Sequence, residues 1–451
     1  MHIFKIICFS LLIIPLTASQ SFAASLIRDA EIEQTLRSYT DPILISAEIN
    51  PKLVRIFVVD DPAINAFVAG GMNIFINTGL ILATEKPSML IGVIAHETGH
   101  IAGAHLSQFK EKTDRATLGS VLGAVLGAAV IASGAPQAGA GIIAGSQSIA
   151  LRSLLSDIRG NEEAADQAAL KYLDANSFSA TGMLQTFEIL RRKQSSLDKT
   201  ADPYLQTHPL TTSRIAIVRN HIARSVIPAD AVPKQFIERH KRLLARLRGF
   251  LWTPEQTLLF YKESDKSFAA DYARAIAYYR MNEMQKAIQI LRKLSGQKDH
   301  NDPYIFDTIG QILYEGGYPK AAAIEYKESI KLSPDSPLSL TELARCLIVI
   351  NEPAYVQEAI TYLDRATMLD DSNADSWRLL ATAYGKLKNN GMAYVALAQE
   401  AALKGEAKNA IAYADNALQT LSPVSAGAQL ARDIKTDSEH HLIRQKEGQI
   451  F

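Results

Sequence analysis

The sequence predicts a mainly helical protein with a small β-sheet, built as an α+β domain followed by an α-solenoid of tetratricopeptide (TPR) repeats. Three observations predict it. Helical patterning dominates, and strand-like stretches rich in β-branched residues are confined to Leu53 to Asn77. Beyond about Thr253, alanines recur at close to the TPR period. The chain has 451 residues, more than one hydrophobic core supports, so two or three domains are expected. Formal net charge is zero, which argues against nucleic acid or an anionic membrane surface as partner. Hydrophobic content of 47% with 21% charged residues fits a well-packed protein without long disordered regions.

Residues 1–23 read as a cleavable signal peptide. Lys5 supplies the positive start, Ile6 to Leu16 an apolar run too short to span a bilayer, and Ser21-Phe22-Ala23 a cleavage site, with Ala24 the first mature residue. Cleavage removes Cys8 and leaves Cys346 alone, so no intramolecular disulfide can form. An exported chain without disulfides suits a bacterial periplasm.

Helical spacing of Ala30, Ile32 and Leu36 predicts a helix within residues 26–50, and Leu53 to Val59 reads as a strand. In Asn65 to Thr78 the Gly70-Gly71 pair predicts a turn between two strands. The second of these, Met72 to Asn77, is the expected site for holding an extended segment by β-addition. Leu80 to His105 is expected to form one apolar helix. Residues 118–150 are rich in Gly and Ala, with Gly119, Gly123 and Gly127 at four-residue spacing. The apolar run there is too short to span a membrane. It reads as a close-packed helical hairpin, or as a lid or peripheral membrane contact over the site. Helices are expected over Leu151 to Leu173 and Ser179 to Arg191, a loop over Ala201 to Arg214 with a helix opening at about Thr211, and helical pattern onward to Leu251.

The repeat is marked by Ala287, Ala322, Ala359 and Ala410, with steps of 35 and 37 residues between the first three. These lie close to the 34-residue TPR period, in which each repeat buries its face against its neighbour. The expected domains are 24–252, a metalloprotease domain; 253–430, the TPR domain; and 431–451, a tail.

The chemistry rests on His96-Glu97-Thr98-Gly99-His100. Residues four apart on a helix lie one above the other, so both imidazoles can face one metal ion. Glu97 is then placed to take a proton from a metal-activated water. A catalytic zinc needs a third protein ligand. A further histidine six residues after His100 would serve, but Leu106 stands there and His105 is one residue early. The alternative is an acidic residue on a later helix. Glu162 is the first candidate and Glu163 the second, with Asp166 one turn beyond Glu162, suited to hydrogen-bonding a ligating histidine or to lying near the substrate. The donor set admits other divalent ions besides zinc.

H-E-T-G-H followed by Arg159, Glu162, Ala165 and Asp166 resembles the gluzincin family of the CAAX prenyl proteases and HtpX. The segment before the metal helix and the later Thr207-His208-Pro209…Arg214 segment match too. The resemblance implies a gluzincin-type metalloprotease holding one zinc ion per chain through His96, His100 and Glu162, with Glu97 as general base and Asp166 where the family places a proton donor. It also implies that His208 lies on a loop that approaches the metal as a plug or fourth ligand. An exported form with TPR repeats implies a periplasmic endopeptidase acting on unfolded or misassembled outer-membrane proteins, with the β-barrel assembly machinery as partner. The competing implication is a TPR chaperone or adaptor whose protease site is latent or secondary. Two departures stand out: Ala164 replaces a frequent glutamate, and the transmembrane helices of HtpX-type members are missing.

Overall fold

The computed structural model describes residues 25–104, 159–194, 208–296 and 302–447. The expected signal peptide, the 118–150 segment, His105 and Leu106 lie outside them.

The chain enters through a two-residue strand β1 (Leu26–Ile27) and helix α1 (Ala30–Ser46), whose N-cap Asp29 accepts a hydrogen bond from Ile32 N. Strands β2 (Ile56–Val59), β3 (Ala66–Ala69) and β4 (Asn73–Asn77) complete a sheet of order β1-β2-β4-β3. Gly70 and Gly71 take φ of 58° and 94° at the β3–β4 turn, conformations that favour glycine. Along β4, Ile74 and Ile76 point into the core, while Phe75 stacks between Phe57 and Phe67 on the opposite face. β4 therefore lies inside the sheet, parallel to β2 on one side and antiparallel to β3 on the other. Its backbone is already paired, so the expectation of β-addition at Met72 to Asn77 is corrected. The open edge on this side is β3.

The expected single helix from Leu80 to His105 is two. α2 (Thr78–Ala83) ends at Thr84, and α3 (Pro87–Ala102) starts with Pro87 at its first turn, where proline's missing N–H costs nothing. Every residue of α3 from Pro87 to Gly99 is buried, as an all-round apolar helix requires. A helix over 159–175 (α4), α5 (Thr181–Gln194), α6 (Thr212–Arg224) and α7 (Lys234–Leu251) pack with α1 and α3 around one core.

Helices α8 (Pro254–Phe260), α9 (Phe268–Arg280), α10 (Met284–Ser295), α11 (Pro303–Glu315), α12 (Pro319–Leu332), α13 (Pro337–Ile350), α14 (Pro353–Leu369), α15 (Ala374–Lys386), α16 (Asn390–Leu403), α17 (Ala407–Thr420) and α18 (Ala426–Glu447) follow, each of α9 to α18 stacked on the next. Ala287, Ala322 and Ala359 are fully buried on alternate helices α10, α12 and α14. Ala410 is fully buried as well, but on α17, three helices on. α18 runs across the expected boundary at 430, so the polar end continues the last helix of the stack. Among the described residues, no helix is long and apolar enough to cross a membrane.

Candidate metal centre

Two helices and one loop build the site. α3 brings His96, Glu97 and His100; α4 brings Glu162 and Asp166; the residues before α6 bring His208. Gly99 sets the approach of α3 to α4. A Cβ there would stand 2.7 Å from Ala165 O, so the helices touch backbone to backbone, one turn from both His96 and Glu162.

Four donor atoms, one each from His96, His100, Glu162 and His208, lie within 4.8 Å of one another. His96 Nε2 is 3.1 Å from His100 Nε2, 3.3 Å from Glu162 Oε2 and 3.4 Å from His208 Nδ1. Glu162 Oε1 is 3.2 Å from His100 Nε2 and 3.1 Å from His208 Nδ1. Ligands bonded at about 2.0–2.1 Å in a tetrahedron stand about 3.3 Å apart, so this spacing is that of a four-coordinate metal site. Glu163 has no place in the cluster; its helical neighbour Glu162 turns inward and is 3% exposed.

His96 is oriented from behind: its Nδ1 faces Asp166 Oδ1 at 2.8 Å, which turns Nε2 toward the cluster. Against burial, the hydrogen bonds to Asp166 and Glu162 pull the metal-free His96 up to about 9. Burial pushes His100 down to about 3. Glu162 is buried too, yet the imidazoles of His100, His208 and His96 hold its carboxyl far below the usual carboxylate range. Three imidazoles and a carboxylate shut from water in this way form a donor set suited to a dication.

Glu97 lies beside the cluster, fully buried, and among the described residues neither of its carboxylate oxygens has a hydrogen-bond partner; His208 Nε2 is 3.7 Å from Oε1. Burial pushes its carboxyl up. A buried carboxylate without hydrogen bonds is costly and is explained by work done on a group that comes and goes.

Arg214 is the residue whose role the sequence did not disclose. Its guanidinium forks onto Asp166, Nε to Oδ2 at 2.6 Å and Nη2 to Oδ1 at 2.9 Å, while Nη1 lies 2.7 Å from Glu162 Oε2. The only signal was its place at the end of the His208-Pro209 segment.

An H-E-x-x-H helix facing a glutamate-bearing helix, set in an α+β domain with TPR-like helical repeats behind it, defines a metalloprotease. Residues 27–222 match the model of Peptidase family M48. Over most of its length it is similar to proteins named beta-barrel assembly-enhancing protease. One, from Yersinia pestis, is 26% identical over 403 residues, 86% of this chain and 79% of the relative. Another, from Escherichia coli K12, is 26% identical over 437 residues, 94% of this chain and 85% of the relative. Among solved structures, the TPR protein YrrB is similar with a TM-score of 0.31 and 20% identity, over 38% of this chain and 89% of that one.

Proposed function

We propose that this protein is a zinc-dependent endopeptidase of the bacterial periplasm, acting on unfolded or misassembled outer-membrane proteins, with a resting site closed by His208. The observation that carries the reading is Glu97, buried and, among the described residues, without a hydrogen-bond partner at the edge of a four-donor cluster.

His96, His100 and Glu162 would hold the metal, one ion per chain. Bound there, zinc would supply Lewis acidity, polarising a peptide carbonyl and lowering the pKa of a water toward about 7. Glu97 accepts the proton of the attacking water and returns it to the leaving amine; its raised pKa suits a group that must both take and give one. Asp166 holds His96 in the tautomer that presents Nε2, and its fork to Arg214 keeps it a positioning group here rather than the proton donor that the family resemblance implies. The β3 edge is the surface that would hold an extended substrate, which selects unfolded segments. The similarity to assembly-enhancing proteases supports outer-membrane clients and the barrel assembly machinery as partner, with the TPR-like helices offering the protein-binding surface. Export follows from the reading of residues 1–23, and membrane contact, if any, falls to residues 118–150.

A second reading, a chaperone or adaptor with a latent site, is favoured by one observation: His208 Nδ1 joins the other donors, 3.4 Å from His96 Nε2 and 3.1 Å from Glu162 Oε1, and would take the position that a catalytic site keeps for water. Glu97→Gln is the test of the enzyme. It should leave one metal ion per chain and lower cleavage of an unfolded protein by about 10²–10⁴-fold; cleavage at the wild-type rate would remove Glu97 from the chemistry.

A further inference from the structure

His208 reaches the cluster from a short stretch of backbone ahead of α6, and the side chain of Arg214 binds the main chain of that stretch. Arg214 stands in the first turn of α6, where Thr211 caps the helix by accepting from Arg214 N at 3.2 Å. Its side chain turns back from the helix and is 1% exposed. The Asp166 fork uses Nε and Nη2. Nη1 then points to three acceptors at once: Glu162 Oε2 at 2.7 Å, Pro209 O at 3.1 Å and, at the limit of a hydrogen bond, His208 O at 3.5 Å. Phe187 lies beneath the guanidinium, 5.0 Å from its ring centre, and fixes the plane.

We propose that Arg214 is the latch of the His208 segment, a positioning residue that ties the main chain of residues 208–209 to the two carboxylates of α4 independently of the His208 imidazole. The inference deepens the reading of His208 as the removable occupant of the fourth position and rests on it. Its physical content is a division of labour. The imidazole closes the metal, whereas the guanidinium closes the backbone. The backbone hold runs through Glu162 and Asp166, the same carboxylates that set the metal ligands, so a closed segment and an ordered ligand set stabilise one another. A lysine cannot replace this arrangement. Its ammonium can meet one carboxylate as a point charge, but it cannot fork onto Asp166 while also reaching Glu162 and Pro209 O.

The test is hydrogen exchange on the zinc-loaded mature chain carrying Glu97→Gln, which prevents self-cleavage. The parent is compared with Arg214→Lys and with His208→Ala, reading the amides of residues 208–213 against those of α3 and α13. Loss of a charge-assisted hydrogen bond should raise exchange at 208–213 about tenfold or more in Arg214→Lys, with α3 and α13 unchanged. In His208→Ala the same amides should stay within about threefold of the parent, since the latch is intact. Unchanged exchange in Arg214→Lys, equal release in both variants, or a rise spread over the whole chain would each overturn the latch. Should Arg214→Lys not fold, Asp166→Asn weakens the fork from the carboxylate side and should release the same amides; unchanged protection there would overturn it equally. Metal content on these samples separates the two readings: a parent that takes up no zinc sinks the metal centre, while the exchange pattern still decides the latch.

Discussion

Two clusters of buried charge are finished in different ways. At the junction between the protease domain and the helical stack, Arg242 and Arg246 of α7 meet acids from both sides. Arg246 Nε is 2.5 Å from Asp29 Oδ2, Arg242 Nε donates to Glu31 Oε1 at 2.7 Å, and Arg242 also pairs with Asp302. Tyr272 OH donates to Glu31 Oε2 at 2.8 Å and Arg246 Nη1 to Thr308 Oγ1 at 2.9 Å. Opposite charges alternate and the acids that enter the low-dielectric space are partnered, which is what burial demands. At the α3–α4 site, imidazoles crowd nitrogen against nitrogen and Glu97 is left without a hydrogen bond. Among the described residues each acid named at the junction meets a donor, whereas the site gathers three imidazoles and a carboxylate suited to a cation, with Glu97 beside them. Local completeness separates a cluster that fixes two domains from one that does chemistry.

The contrast can be broken at either end. The largest effect is expected at the site, where Glu97→Gln costs cleavage about 10²–10⁴-fold while the protein gains or holds stability, because a buried carboxylate without a hydrogen bond among the described residues is replaced by a neutral amide. Thermal melts beside activity assays check this, and a loss of both together would mean that Glu97 is structural. The junction should behave in the opposite way. Arg246→Ala leaves Asp29 and Glu31 with buried charge to spare and should destabilise by about 3–5 kcal/mol in denaturant unfolding, with metal content unchanged; an effect below about 1 kcal/mol would show the cluster to be dispensable. Glu162→Ala should bring metal content well below one per chain with a smaller loss of stability. Full metal occupancy in that variant, measured after dialysis, would take Glu162 out of the ligand set.

The smallest effect is a pH dependence at the rim of the junction, where Asp307 feels the charges of Arg246 and Asp29. Burial pushes the Asp307 carboxyl up to about 7 although it accepts from Ser339 Oγ at 2.8 Å, whereas in the unfolded chain it titrates near 3.8. The folded state thus holds this proton more tightly, and the contribution of Asp307 to stability is greatest below about pH 4 and falls as pH rises toward 7. Asp307→Asn should therefore gain on the wild type by a few degrees in Tm on going from pH 4 to pH 8, on the scale of about 2–4 °C per kcal/mol. A difference that does not change with pH would contradict the raised carboxyl.

What could be read from the sequence followed from short-range rules. H-E-x-x-H needs only the helical repeat, Gly70-Gly71 needs only the positive φ of a tight turn, and Ala287, Ala322 and Ala359 need only the close crossing of paired helices. Where reading failed, a long-range partner decided. β4 lies inside the sheet because β2 comes to it in parallel across an intervening strand, and no local pattern announces that. Arg242 and Arg246 look like the solvated face of an amphipathic helix until α1 and α9 cover them. Arg214 is legible only as the end of the His208-Pro209 segment, and its role is not, since its partner Asp166 stands on α4, 48 residues before it. The break at Thr84 to Lys86 was within reach, because Pro87 marks a helix start, but the unbroken apolar run masked it.

In the proposed resting protein His96, His100 and Glu162 hold a metal ion and His208 closes the site. The most direct measurement takes metal content and cleavage of an unfolded protein together, on the purified mature chain and on His208→Ala. One zinc per chain in both, with cleavage about tenfold or more higher once the imidazole is gone, is the predicted result, since removing the fourth donor opens a position for water. Cleavage that falls in His208→Ala, with zinc retained, would contradict it and would make His208 a participant in the reaction rather than its stopper.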